Sequence, residues 1–196
     1  MDELGQIKLH VSKYIQLTDE EERYFFSLLR INRVKKKQFI VQPDFVCKYR
    51  SYVYKGAMRA YLFDNNSQDH TIAFATEDWW ISDYNSFIFQ KPATLFVEAL
   101  EDSTLIQIEY SAEQKLMEYV PKFEKFFRIV TSRSFAFLQQ RMLSNLSKSA
   151  EERYEEFLSQ YPEMAQRVPQ YALASYLGMS QVYLSQLRNN RLNKKT

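Results

Sequence analysis

Cysteine occurs once in the 196 residues, as Cys47, and histidine only twice, as His10 and His70. A single thiol excludes an internal disulfide, an iron–sulfur cluster and a structural zinc held by several thiolates, and points to a reducing compartment. Two histidines cannot form the imidazole cluster of a metal-dependent β-roll enzyme, so no metal ligand is expected. A lone His70 or Cys47 would suffice as an axial haem ligand, but a lone residue of either type is usually structural. Glycine is scarce, at three residues, and no Gly-rich phosphate loop or Ser-His-Asp set stands out; no catalytic residue is expected. No apolar run approaches the roughly eighteen residues of a membrane span, and the start MDELGQIKLH lacks a basic segment followed by an apolar one. These absences predict a soluble, cytoplasmic protein with no membrane partner. Acidic residues are missing from Ala165 to Thr196, where Arg167, Arg188, Arg191, Lys194 and Lys195 occur. The net charge of +2 says little about partners; a basic segment free of carboxylates suits a polyanion.

What is present is ample for a core: 45% of the residues are hydrophobic, enough for one large domain or a medium one with a small companion. Thr18 and Glu21 stand in capping-box spacing ahead of Tyr24, Phe25, Phe26, Leu28 and Leu29, which predicts a helix from about Asp19 to Arg30. From Arg33 to Tyr110 the texture changes to short β-branched and aromatic runs such as Gln38–Val41, Arg50–Val53, Met58–Phe63, Thr71–Ala75, Leu95–Leu100 and Leu105–Ile108. Turn signals such as Gln42-Pro43-Asp44 and Asp64-Asn65-Asn66 separate them, and seven or eight strands imply a sandwich or roll. Beyond Pro121 a helix is predicted from Lys122 to about Leu146. Its apolar positions, Phe123, Phe127, Val130, Phe135, Phe137, Leu138, Met142 and Leu146, cover more than half of its circumference. Such a helix is either sunk in its own domain or packed on the roll on one side and on its twin in a dimer on the other. Ser147 to Ala150 reads as a hinge before a helix Glu151–Gln160.

Gln170 to Asn189, QYALASYLGMSQVYLSQLRN, has the spacing of a DNA-binding helix-turn-helix. Leu173, Leu177, Met179, Leu184 and Leu187 stand where two crossed helices share one small core, and Ala174 where they pass closest. Gly178 sits where a left-handed backbone closes the first helix, and Ser180 where a cap opens the second. An ordinary helical hairpin would share this spacing; the outward side chains favour DNA. Gln181, Val182 and Gln186 suit base edges, glutamine pairing with adenine and valine packing on a thymine methyl, while Tyr183, Ser185 and Arg188 suit phosphates, and Ser180 completes the candidate DNA-binding residues.

A β-roll, a long helix and a C-terminal helix-turn-helix, in that order and at this length, resemble the Crp/Fnr family of regulators. The resemblance rests most specifically on Leu173-Ala174 through Leu187, and more loosely on Val53–Phe74 and Phe96–Ile108 as roll strands. It implies an α+β fold: a cyclic-nucleotide-binding-type β-roll (a double-stranded β-helix or jelly roll) with a long dimerisation helix over residues 1–146, and a winged helix-turn-helix over residues 147–196. It also implies an effector-responsive homodimer that binds double-stranded DNA and meets RNA polymerase. Cyclic-nucleotide members hold the phosphate with a Gly-Glu pair and with an Arg-Ser or Arg-Thr pair. The matching positions here are Ser82-Asp83 and Ala93-Thr94, the candidate effector pocket. Without the arginine a buried phosphate forfeits its strongest charge-assisted contacts, and Lys91 lies two residues away. Cyclic AMP is therefore not expected and no cofactor is required; an uncharged effector among Trp79, Trp80, Tyr84, Phe87 and Phe89, or no effector, remains. The alternative, from another class, is a ligand-binding roll that acts through protein partners without specific DNA binding.

Overall fold

Several helices of the chain begin where a side chain satisfies an N–H group left open in the first turn. In the computed structural model, which describes residues 2–193, Asp2 accepts from the Gly5 N–H to start α1 (Glu3–Ser12). Thr18 and Glu21 form the expected capping box of α2 (Asp19–Ser27). That helix stops short of Arg30 because Leu29–Val34 is drawn into a strand, β1, paired antiparallel with the last strand of the roll from Leu29↔Ile108 to Val34↔Ser103. The other strands are β2 (Phe39–Val41), β3 (Tyr49–Lys55), β4 (Met58–Phe63), β5 (Asp69–Ala75) and β6 (Trp80–Ile81), then, after the short α3 (Tyr84–Phe89), β7 (Phe96–Ala99) and β8 (Ser103–Glu109). They form two four-stranded sheets in the orders β1-β8-β3-β6 and β2-β7-β4-β5. Helices follow to the end: α4 (Tyr110–Tyr119), α5 (Lys122–Ser147), α6 (Ala150–Gln160), α7 (Pro162–Arg167), α8 (Gln170–Leu177) and α9 (Gln181–Asn193). Each strand run read from the sequence is observed, whereas β1, β6, α1, α3, α4 and α7 were not legible there. No strand follows α9 among the described residues, and Lys194 and Lys195 lie outside them.

The chain packs as two units, one of residues up to Ala60 with Phe74–Phe135, the other of Tyr61–Ala73 with Ala136 onward. In the first, Tyr52, Ile106 and Ile108 of the roll, Ile7 and Val11 of α1, and Phe123, Phe126 and Phe127 of α5 make one core. Each such side chain contributes about 1.5–3 kcal/mol of burial. His10 sits inside it and accepts from the Trp80 indole N–H at 3.3 Å. Burial lowers its pKa to about 4, so the imidazole is a neutral acceptor.

The division between the packing units falls inside α5. Phe123, Phe126, Phe127 and Val130 are buried, but beyond them Phe135 (67%), Leu138, Met142, Leu143 and Leu146 (79%) are exposed. Phe137 differs from its neighbour Leu138: its ring meets Tyr161 edge-on at 6.1 Å within the second unit. In that unit Ser149 and Glu152 form a second capping box, at the start of α6, and Pro162 opens α7.

Candidate nucleic-acid interface

The helix-turn-helix forms as its spacing requires. Gly178 ends α8 at φ 65°, and its N–H bonds back to Ala174 and Ser175. Ser180 then accepts from the Tyr183 N–H at 3.1 Å to cap α9, so its hydroxyl serves the helix. Leu173, Ala174, Leu177, Leu184 and Leu187 are buried and Met179 half-buried.

With Leu184 and Leu187 inward, Gln181, Val182 (69% exposed), Tyr183, Gln186 and Arg188 are exposed. At about 100° per residue, Val182 and Gln186 project opposite the buried leucines. Asn189 is exposed on the same stripe, at i+7 from Val182, and can pair with adenine as glutamine does; helix period alone could have found it. Ser185 is half-buried and its hydroxyl takes a hydrogen bond from the Gln170 amide, which also reaches the Gln181 carbonyl at 3.4 Å. Gln170 therefore ties α8 to α9, a role the spacing did not reveal. Arg188 stands to one side of the stripe: with Arg191 it lines a groove against Leu158 and Pro162, and its charge acts on the Tyr154 phenol. Arg191 pairs with Glu155 at 3.3 Å.

Replacing Gln186 by Ala is expected to cost about 1–3 kcal/mol on a preferred duplex and to relax selectivity at one base pair. Gel-shift titration on preferred and scrambled duplexes checks it; equal losses on both would remove Gln186 from base reading.

The roll positions implied by the resemblance also meet, but they close on themselves. Asp83 caps α3, one carboxylate oxygen accepting from Ser86 N–H at 3.0 Å and the other from the N–H groups of Thr94 (2.9 Å) and Leu95 (3.0 Å). The carboxylate is buried and occupies the donors that an anion would use. Ser82 donates to the Tyr49 carbonyl at 3.1 Å and lies 3.2 Å from Cys47 Sγ. Ala93 is buried, Thr94 is exposed, and Lys91 Nζ sits over the Phe89 ring. Of the aromatic group, Trp80 and Phe87 are core, Trp79 and Tyr84 half-buried, and Phe89 is exposed. His70 pairs with Asp64 at 3.1 Å in the β4–β5 hairpin.

No protein-family profile and no curated protein matches the sequence. Solved structures do match in fold. The c-di-GMP-responsive global regulator CLP of Xanthomonas campestris superposes with a TM-score of 0.73 at 12% identity, over 91% of this chain and 93% of its own. FixK2 of Bradyrhizobium japonicum gives 0.74 at 18%, over 85% and 86%. A putative transcriptional regulator of the Crp/Fnr family from Eubacterium rectale gives 0.71 at 17%, over 90% and 85%. The chain has the Crp/Fnr regulator fold.

This version of the Crp/Fnr fold holds an ion pair inside its roll that the sequence did not announce. Arg50 of β3 grips Glu113 of α4 through Nε at 2.7 Å and Nη2 at 2.8 Å, both side chains buried. The guanidinium carbon lies 4.9 Å from the Phe127 ring centre, 5.1 Å from Phe87 and 5.3 Å from Tyr84. Desolvation raises the Glu113 pKa against the opposing pull of Arg50. Among the described residues, no group of His, Cys, Asp and Glu is placed to hold a metal ion, and no helix is long and apolar enough to cross a membrane.

Proposed function

We propose that the chain is a DNA-binding transcription regulator that works as a homodimer, with α9 as the recognition helix. The observation that carries this is the stripe on α9: Val182, Gln186 and Asn189 face outward while Leu184 and Leu187 lock the opposite side into the unit. Double-stranded DNA is the partner such a stripe suits, in a segment that lacks carboxylates. The exposed apolar run on α5 supplies the surface for a second copy. Selection of duplexes from a random library, followed by gel shift, tests the reading. Recovery of no preferred sequence would favour the alternative, a roll acting through protein partners. Contact with RNA polymerase is part of the same proposal, with no surface assigned to it, and a cytoplasmic location accords with it. No catalytic step is assigned.

The roll is proposed to act without cyclic AMP. Ala93 offers no guanidinium, and Asp83 both fills the backbone donors and would repel a phosphate beside it. Calorimetric titration is expected to show no saturable binding at micromolar cyclic AMP. Saturable binding with a parallel change in DNA affinity would overturn this and point to Lys91 as the cation.

A further inference from the structure

We propose that the tip of the β4–β5 hairpin is a positioning clamp for the DNA-reading helices, built by Thr71, Ser175 and Arg141; this rests on the DNA-binding reading above. β5 stands at the end of the strand order β2-β7-β4-β5, and an edge strand offers backbone donors and acceptors to neighbouring elements. α8 supplies them. Ser175 Oγ accepts from the Thr71 N–H at 2.8 Å and donates to the Asp69 carbonyl at 2.8 Å. The Thr71 hydroxyl, 2% exposed as a residue, reaches the Ala172 carbonyl at 3.3 Å and Ser175 Oγ at 3.1 Å. From α5, Arg141 Nη2 donates to the Thr71 carbonyl at 2.7 Å and to the Tyr176 carbonyl at 3.0 Å, and Nη1 donates to the Ile72 carbonyl. Its guanidinium lies 4.0 Å from the centre of the Tyr176 ring. One guanidinium therefore joins α5, β5 and α8, and one hydroxyl binds two β5 residues to the first helix of the helix-turn-helix.

Such a junction has a cost and a use. Arg141 keeps its Nε buried without a partner, a penalty a helix pair could avoid by packing on apolar side chains alone. What the hydrogen bonds add is direction: they fix the rotation of α8 about its axis, and through Leu173, Leu177, Leu184 and Leu187 the setting of α9. A recognition helix held in one setting binds its site without the ordering cost of a mobile one. Nonspecific attraction to phosphates depends on charge and is indifferent to that setting.

The test compares wild type with Ser175→Ala, Thr71→Val and Thr71→Ser, none of which alters charge. On a duplex selected by the wild type, Ser175→Ala and Thr71→Val are expected to lose about 5- to 20-fold in affinity, while Thr71→Ser, which keeps the hydroxyl, stays within about twofold. Affinity for random duplexes should be unchanged in all three. Amide exchange at Asp69–Ile72 should rise about 10-fold or more in Ser175→Ala. Unchanged specific affinity overturns the clamp whatever the exchange shows. Equal losses on selected and random duplexes, or failure of Thr71→Ser to preserve affinity, overturn it as well. A wild type that selects no duplex sinks the DNA-reading proposal itself, and is distinguished from failure of the clamp because it precedes any comparison of variants.

Discussion

Glutamate at both Leu138 and Met142 is expected to leave the protein folded but monomeric, with a loss of about 100-fold or more in affinity for a two-half-site duplex. The reason is the exposed run Phe135, Leu138, Met142 and Leu146 on the second half of α5, whose spacing of three or four residues keeps it on one side of the helix. A contiguous apolar strip of this kind marks an interaction surface. In a twofold arrangement each carboxylate would meet its own copy or the partner's apolar strip, and a charge buried there without a partner costs several kcal/mol. The DNA effect follows because separated subunits lose the effective concentration that links half-sites about 34–36 Å apart. Sedimentation velocity together with gel shift checks both parts. A folded dimer that survives both substitutions would place the interface elsewhere. Phe137→Glu is no substitute for this test, because Phe137 packs on Tyr161 inside its own unit and its loss would perturb that packing first.

Truncating Glu113 to Ala is expected to destabilise the roll unit by about 3–5 kcal/mol, the effect of leaving a charge buried without its partner. Arg50 would remain among Phe87, Phe127 and Tyr84 with no carboxylate to take its two donated hydrogen bonds, and its Nη1 already lacks a partner. Replacing both residues together, as Arg50→Met with Glu113→Leu, should be far milder, because no charge is then left in the core. Chemical denaturation of the wild type, Arg50→Met, Glu113→Leu and the pair closes the cycle, with Glu113→Ala measured beside it. Additive losses would show that the two side chains do not act as a unit. The transition belonging to the roll has to be followed by a local probe such as the fluorescence of Trp79 and Trp80, both in that unit, since a chain packed as two units need not unfold in one step.

Most of the architecture was legible because it rests on short-range chemistry. Thr18 with Glu21 is a capping pair three residues apart. The hairpin signal Asp64-Asn65-Asn66 became a turn in which Asp64 accepts from the N–H groups of Asn66 and Gln68. Where the reading fell short, a distant partner overrode the local pattern. Leu29 and Arg30 continue the α2 periodicity, yet pairing with Ile108 and Gln107 takes them into β1. Asp83 reads as a candidate ligand contact, but its carboxylate is already taken by N–H groups of Thr94 and Leu95, residues brought to it by the turn after α3.

The helix-turn-helix and most of its outward residues follow from local chemistry, since the 3.6-residue period, Gly178 and Ser180 define both helices and their inner faces within twenty residues. Long-range packing alone turns Phe137 inward while Leu138 stays exposed, brings Arg50 to Glu113, and brings Thr71 to Ser175. Helix period records which way a side chain points from its own axis, and the broad apolar arc of α5 permits either neighbour to be buried. Pairings between residues far apart in the chain depend on how the backbone closes between them, and no local pattern of apolar and polar residues encodes that closure.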